Sequence, residues 1–153
     1  MEDRLAPGLS SAKERCTLEF VPQVVVPNAW PLVEHWIEEA AAESRGKITA
    51  ADILEVLMAG HMHLWLIRDE GIVTAVIVTE FLCFPRKKLC GIVIMVGEGK
   101  DKWLFLKDTI EKWAWMQGCK GMRHIARKGW ARVLTDYEWT HVVLEKDLED
   151  FNA

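Results

Sequence analysis

The chain has 153 residues, a length that fits one ordinary domain with a single substantial core. Half of the residues are hydrophobic and 27% are charged, which is typical of a globular protein and not of a disordered one. The net charge of −4 argues against a dedicated nucleic-acid-binding protein, which needs a basic face to neutralise phosphates. All apolar runs are shorter than the roughly 20 residues that span a bilayer, and no signal peptide opens the chain, so a soluble protein without membrane contact is expected.

The residues with metal-binding or interface chemistry are scattered along the chain. His61 and His63 share one face of a strand but have no third ligand nearby, so no metal site is predicted. The chain has eight tryptophans and one tyrosine, which is an unusual ratio. Tryptophan is enriched at protein interfaces. Some are therefore expected to face another protein chain, although a Trp-rich core is an equally good explanation. Four cysteines form no CxxC pair, which favours reduced thiols inside a cell: Cys16, Cys83, Cys90 and Cys119.

The amino-terminal third predicts a tail, a strand and two helices. Residues 1–15 lack a periodic apolar pattern and should be flexible unless a partner orders them. Residues 16–26 alternate in polarity and indicate a strand that bends at Pro22. A helix follows, with Asn28 as its cap and Gly46 after its end. Thr49 and Asp52 then form a capping box at the start of a second, short helix.

The middle of the chain predicts a meander of three antiparallel strands. Strands at about 62–68, 72–84 and 88–96 are joined by short turns. The second turn carries Arg86, Lys87 and Lys88, which is typical of a solvated hairpin tip.

A long helix is predicted from about Lys100 to Gln117. Its buried face should comprise Trp103, Leu106, Ile110 and Trp113 or Ala114. A strand over 121–127, a short helix over 129–137 and a last strand over 139–148 complete one mixed α/β domain over 16–153, with about six strands and four helices.

The turn before the long helix contains two glycines. A phosphate site needs amide hydrogens directed into a concavity, a positive helix end, and glycines that let the backbone approach. Gly97, Gly99 and the amides of Lys100 and Asp101 could provide this, with Lys100 or Lys102 adding charge. The spacing is neither that of a Walker A loop nor that of a dinucleotide fingerprint. A turn that only ends a strand and caps a helix is the plainer alternative.

The order of elements resembles the GNAT fold, the acyl-CoA-dependent N-acetyltransferase superfamily, from about residue 16 to 148. The resemblance implies a central, mostly antiparallel sheet flanked by helices, and a turn after the fourth strand whose amides bind the CoA pyrophosphate. Ala131, Leu134 and Trp139 match the family's terminal A-x-x-L pattern and the aromatic residue that follows it. Within the superfamily the chain is similar to small GNAT-like proteins of tailed bacteriophages. The residues implied to bind the cofactor are Val96, Gly97, Glu98, Gly99, Lys100, Asp101 and Lys102.

Two departures from the family pattern affect the expected chemistry. The turn pattern Q/R-x-x-G-x-G/A has Ile94 at its first position, and Glu98 places a negative charge beside the expected pyrophosphate. Thr135 replaces the tyrosine that usually acts as the general acid after A-x-x-L, which leaves Tyr137 as the candidate acid. Glu80, in an apolar run, is the candidate general base, although an outward-facing strand residue would look the same.

Two functions are consistent with this sequence. The first is a phage or prophage GNAT-fold protein with a degenerate acyl-CoA site, which holds no cofactor and binds other protein chains, as a virion component does. It would reside in the cytoplasm of the bacterial host or in the phage particle, without specific nucleic acid. The imperfect turn, the missing tyrosine and the tryptophan surplus favour it. The alternative is an active N-acyltransferase that uses acetyl-CoA or another acyl-CoA to modify an amine of a protein or small molecule.

Overall fold

A single sheet runs through the centre of the computed structural model, which describes residues 15–148. Its strands follow chain order across the sheet. The first four strands are antiparallel, and the fifth pairs with the fourth in parallel. The predicted meander is therefore confirmed. The strands are β1 (Cys16–Val21), β2 (His63–Asp69), β3 (Ile72–Phe84), β4 (Lys87–Gly97) and β5 (Gly121–His124).

Four helices accompany the sheet in the described part of the chain, if one interrupted helix is counted once. That helix runs over residues 100–116 with a 3₁₀ turn over Leu104–Leu106 in its middle, and it confirms the helix predicted over 100–117. The capping box at the start of the second helix is also confirmed, since Thr49 Oγ1 accepts from the amide of Asp52 and Asp52 Oδ2 accepts from the amide of Thr49. The helices are α1 (Val26–Ala42), α2 (Ala50–Met58), α3 (Lys100–Trp103), α4 (Lys107–Met116) and α5 (Lys128–Ala131).

Helices cover both faces of the sheet. One face packs its buried side chains, among them Val76 and Val78, against α1 and α2. The opposite face packs Trp65, Ile77 and Met95 against the interrupted helix. The stripe predicted for that helix is confirmed, because these residues are all buried: Trp103, Leu106, Ile110 and Ala114. These two layers of buried side chains fix the positions of β4 and α3 relative to each other.

Several boundaries differ from the sequence-based predictions. The first strand ends at Val21, because Pro22 has no amide for a ladder, and a 3₁₀ turn over Gln23–Val25 leads into α1. The predicted strand over 121–127 ends at His124. The predicted short helix over 129–137 is reduced to α5, whose four residues are Lys128–Ala131.

The predicted last strand over 139–148 is wrong, since this segment has no regular structure. A strand needs a partner edge for its backbone groups, and β5 offers only four residues. The segment is held by charges instead: Glu145 pairs with Arg45 at 3.2 Å and with Lys47 at 2.6 Å, beyond the end of α1. The described sheet therefore has five strands where about six were expected.

The tryptophans divide between core and surface. Trp30, Trp65 and Trp103 are buried, three others are half-buried, and Trp115 and Trp139 are 64% and 67% exposed. The tail predicted over residues 1–15 lies outside the described residues except for Arg15, whose carbonyl accepts from the amide of Glu70. No helix within residues 15–148 is both long and apolar enough to cross a bilayer.

Candidate functional site

Strands β4 and β5 separate partway along the sheet. Their pairing runs from Leu89 with Gly121 to Ile92 with His124 and then stops. Beyond Ile92, β4 continues over five residues to Gly97 while still paired with β3 on its other side. A register shift in the β3–β4 ladder lies at the same level, between Val78 and Thr79. Among the described residues, β4 thus has an edge over 93–97 that no strand covers, with backbone groups available to an extended ligand.

The two glycines at the end of this edge have different roles. Gly97 lies so close to β3 that a Cβ on it would be 2.4 Å from the Cα of Ala75 and 2.5 Å from the carbonyl oxygen of Thr74. Its φ of 145° also favours glycine. Gly99 has a left-handed backbone, with φ of 70°, and space around it, since only Lys102 Cδ would come within 4 Å of its Cβ. Gly97 therefore packs two strands together, and Gly99 shapes the turn.

Three hydrogen bonds fix the conformation of the turn. The amide of Glu98 donates to the carbonyl of Thr74 at 2.8 Å, and the amide of Lys102 donates to the carbonyl of Gly99 at 2.8 Å. The indole Nε1 of Trp103 donates to the carbonyl of Glu98 at 2.7 Å. Helical spacing predicts that Trp103 lies in the core, but it does not reveal this bond, in which the side chain reaches back past the start of its own helix.

The amides that remain at the start of α3 belong to residues 99–101. None of them has a backbone acceptor among the described residues outside the helix. The half-buried Lys100 places its ammonium 4.5 Å from the ring centre of Trp130, which keeps a positive charge next to these amides. Trp130, which the sequence analysis did not single out, packs against the same buried cluster as Met95 of β4. Free amides and a held cation together provide a local anion-binding character.

Acidic and polar groups lie on another side of the turn. A cavity of about 170 Å³ there is lined in part by Thr74, whose Oγ1 is buried without a hydrogen-bond partner in the described chain. Lys102 Nζ is 3.7 Å from Asp69 Oδ2, so its charge is directed toward this cavity. Glu98 also lines it, while Asp101 is exposed and Val96 packs toward α1. The cavity is lined by Cys16, Asp69, Thr74, Glu98, Gly99, Lys102 and Trp103.

Tyr137 is part of a charged network on α4. Its hydroxyl donates to Glu111 Oε2 at 2.8 Å, and Lys107 Nζ donates to the same oxygen at 3.3 Å and to Asp136 Oδ2 at 2.9 Å. Burial and the bond to Glu111 raise the pKa of Tyr137 well above its ordinary value. Burial opposes the charge of Lys107, but its bonds to Asp136 and Asp108 raise its pKa overall. Tyr137 therefore keeps its proton at neutral pH, as a general acid must.

Glu80 lies on the other face of the sheet. Side chains of β3 alternate, so Glu80 is on the side of Val76 and Val78, which pack against α1. A Cβ on its pairing partner, Gly91, would be 3.5 Å from the Cγ of Glu80. Tyr137 packs against the cluster on the opposite face. The structure thus does not bring the two candidate catalytic residues together on one face.

Two histidines, His63 and His124, are half-buried in the sheet. His63 Nδ1 is 3.0 Å from Thr79 Oγ1, which also accepts from Trp65 Nε1 at 3.0 Å. Within residues 15–148 no group of three His, Cys, Asp or Glu side chains could hold a metal ion. His124 has a buried Nδ1 without any hydrogen-bond partner in that part of the chain. Its ring lies 5.7 Å from the ring of Trp130.

We expect His124 to make stability depend on pH. Burial lowers its pKa from 6.5 to about 4, so the unfolded chain binds this proton first as pH falls. The free energy of unfolding should drop between pH 6.5 and pH 4, by up to about 1.4 kcal/mol per pH unit. Urea denaturation of wild type and His124→Phe at several pH values measures this. The variant should lose that part of the slope, whereas His141→Phe, at an exposed position, should keep it; equal slopes in all three proteins would contradict the assignment.

Comparison with known proteins was informative only at the level of structure. No protein-family model and no curated protein matches the sequence. An aminoglycoside acetyltransferase, meta-AAC0020, from an uncultured soil metagenomic sample and solved with sisomicin, matches with a TM-score of 0.68 and 12% identity over 91% of this chain and 100% of that chain. A GCN5-related N-acetyltransferase from Ralstonia eutropha JMP134 matches with a TM-score of 0.61 and 14% identity, over 88% and 98% of the two chains. The chain has the GNAT fold.

A third GNAT-fold structure carries the expected cofactor. It is a predicted acetyltransferase with acetyl-CoA from Clostridium acetobutylicum, similar with a TM-score of 0.61 and 12% identity over 88% of this chain and 96% of that chain. Identities this low establish the shared fold and not a shared substrate. The mixed α/β GNAT-like prediction is confirmed. The proposed likeness to bacteriophage proteins, the virion role and the site residues are not addressed by these matches and stay predictions.

Proposed function

We propose that the protein is an acyl-CoA-dependent N-acyltransferase. The observation that carries the proposal is the uncovered edge of β4 over 93–97, which leads directly into the glycine turn. The pantetheine arm of CoA is an extended chain with amide groups, so it can pair with an open strand edge as an added strand does. The fold neighbours support this assignment, since they are acetyltransferases and one is described with acetyl-CoA.

The turn supplies the second half of the binding site. With the pantetheine arm along β4, the pyrophosphate would lie at the amides of residues 99–101 and near the ammonium of Lys100. Gly97 would not contact the ligand, because its backbone is packed against Ala75. Its role is to let β4 lie close to β3. Glu98 would weaken binding, because its negative charge lies beside the expected pyrophosphate.

The chemistry needs two proton transfers. An acceptor amine attacks the thioester carbonyl carbon, the carbon–sulfur bond breaks, the ammonium loses a proton, and the thiolate gains one. We propose Tyr137 as the proton donor, because it is the chain's one tyrosine, its hydroxyl carries the proton that it donates to Glu111, and it packs on the same side of the sheet as Met95. We propose Glu80 as the base, from its half-buried position on the α1 side of the sheet.

Calorimetric titration with acetyl-CoA tests the proposal. Wild type should bind with a micromolar dissociation constant, which corresponds to about −8 kcal/mol. Gly99→Val should abolish binding, because a β-branched residue cannot adopt the left-handed backbone that shapes the turn. Gly46→Val is the matched control: Gly46 also has a left-handed backbone, with φ of 79° and no neighbour within 4 Å, but it lies after α1.

The degenerate-site hypothesis makes the opposite prediction. Under it, wild type shows no saturable binding at millimolar acetyl-CoA, a concentration equivalent to about −4 kcal/mol. That result, or equal loss of binding in Gly99→Val and Gly46→Val, would overturn the proposal. Bound acetyl-CoA with release of free thiol on addition of an amine would establish the transfer itself.

A further inference from the structure

Positively charged side chains are concentrated at one end of the sheet, although the chain as a whole has a negative net charge. The chain has a net charge of −4, yet five cations cluster where the β3–β4 turn, the start of β5 and the end of α4 meet. We call this surface the basic end. Four of its cations are exposed and one, Lys88, is half-buried. The basic end comprises Arg86, Lys87, Lys88, Lys120 and Arg123.

The cations of the basic end differ from most other cations of the protein. None of the five has an ion pair within residues 15–148, whereas ion pairs engage seven cations elsewhere: Arg15, Arg45, Lys47, Arg68, Lys102, Lys107 and Arg127. Unneutralised positive charges on one surface repel each other and attract an anionic partner. Charge at the basic end is therefore available for binding.

Aromatic rings alternate with these cations. Lys88 Nζ lies 4.0 Å from the ring centre of Phe81, and Lys120 Nζ lies 4.5 Å from that of Trp115. The guanidinium carbon of Arg123 lies 6.0 Å from the ring centre of Phe84. The rings of Trp115 and Phe84 are 64% and 46% exposed, so each has surface left for a planar ligand group.

Backbone contacts hold this surface together. The amide of Lys120 donates to the carbonyl of Lys88 at 2.8 Å, and Lys88 Nζ donates to the carbonyl of Gln117 at 2.9 Å. Phe84 pairs with Lys87 in the β3–β4 ladder. The cations and rings come from elements that are fixed relative to each other, so a ligand would meet a preformed surface.

We propose that the basic end binds single-stranded nucleic acid without sequence preference. A single strand offers phosphates to the cations and unpaired bases to the exposed rings, and no other common polyanion supplies both. An acidic peptide would use the cations but leave Trp115 and Phe84 without stacking partners. A duplex hides its base faces. Four of the five cations are exposed on long side chains, and neither the cavity at the glycine turn nor the one between α1 and α2 includes a residue of the basic end, which suits phosphate and stacking contacts and not the reading of base edges.

Fluorescence anisotropy with a labelled oligothymidylate of about 15 nucleotides tests the proposal. At about 50 mM salt we expect saturable binding, and the logarithm of the association constant should fall with the logarithm of salt concentration with a slope of about −2.8, the value for four single-strand phosphates contacted by the four exposed cations. Unlabelled poly-glutamate of equal charge should compete poorly. Absence of saturable binding, or complete displacement by poly-glutamate, would overturn the proposal, the latter in favour of an acidic protein partner.

Paired variants locate the site. Lys87→Glu should weaken binding at least about eightfold at ~50 mM salt, while Lys146→Glu, the same charge change at an exposed position of the last segment, should have a smaller effect. Trp115→Ala should weaken binding about tenfold through the loss of one stacked base. Its control is Trp139→Ala, where the ring is equally exposed but lies outside the basic end. Equal losses within either pair would show that binding does not occur at the basic end.

Discussion

Replacing Gly97 by alanine should destabilise the protein by roughly 3 kcal/mol or more, because it forces overpacking and a strained backbone together. The new Cβ would lie 2.4 Å from both the Cα and the Cβ of Ala75, a separation that real Cβ atoms do not show, so β4 must move away from β3. A φ of 145° adds a conformational cost for any residue with a side chain. The midpoint of urea denaturation would show the loss.

Gly71→Ala is the control for this prediction. Gly71 also has a positive φ, 84°, but no atom lies within 4 Å of the position of its Cβ. Its replacement should lower the free energy of unfolding only by the cost of placing a residue with a side chain at a positive φ, about 1–2 kcal/mol. If the two variants unfold at the same urea concentration, the close approach of β4 and β3 at Gly97 contributes nothing to stability, and the assigned role is wrong.

Replacing Trp103 by alanine should cost about 3–5 kcal/mol, the range for a large buried aromatic side chain. Trp103 is 2% exposed and packs in the cluster between the sheet and the interrupted helix. Its replacement also removes the bond from its indole to the carbonyl of Glu98, so the turn loses one of its fixed points. Thermal or urea denaturation measures the first effect, and acetyl-CoA titration measures the second.

Trp103→Phe separates packing from hydrogen bonding. Phenylalanine keeps most of the apolar contact but leaves the carbonyl of Glu98 without its donor, at a cost of about 1–3 kcal/mol. Trp139→Ala, at a position 67% exposed, should change stability little. An alanine variant at position 103 that is as stable as wild type would contradict the structure around α3.

Much of the fold could be predicted because its signals are local. The alternation in β2, β3 and β4, the capping box at Thr49 and the buried stripe that begins with Trp103 each depend on residues close in sequence. The last strand over 139–148 could not be judged in this way. Its apolar alternation indicates a strand, but whether a strand forms depends on a partner edge, and β5 stops at His124.

The candidate site was harder to predict because it depends on how strands are matched. Gly97 and Gly99 look alike in the sequence, and only the register of β3 against β4 shows that Gly97 packs on Ala75 while Gly99 shapes the turn. Likewise, alternation alone assigns Glu80 to one face of β3. It does not say that this face meets α1 and that Tyr137 lies on the other. The register between strands and the helix that covers each face are tertiary features, and residues close in sequence do not determine them.

The three hydrogen bonds that fix the turn have a consequence for the energetics of association. A flexible loop that becomes ordered around a ligand loses conformational entropy, and that loss is subtracted from the favourable contacts. Here Thr74, Glu98, Gly99, Lys102 and Trp103 already hold the backbone in one shape. Little conformational entropy would therefore be lost when a ligand binds to this turn, and nearly all of the free energy gained from each amide contact would contribute to the binding affinity.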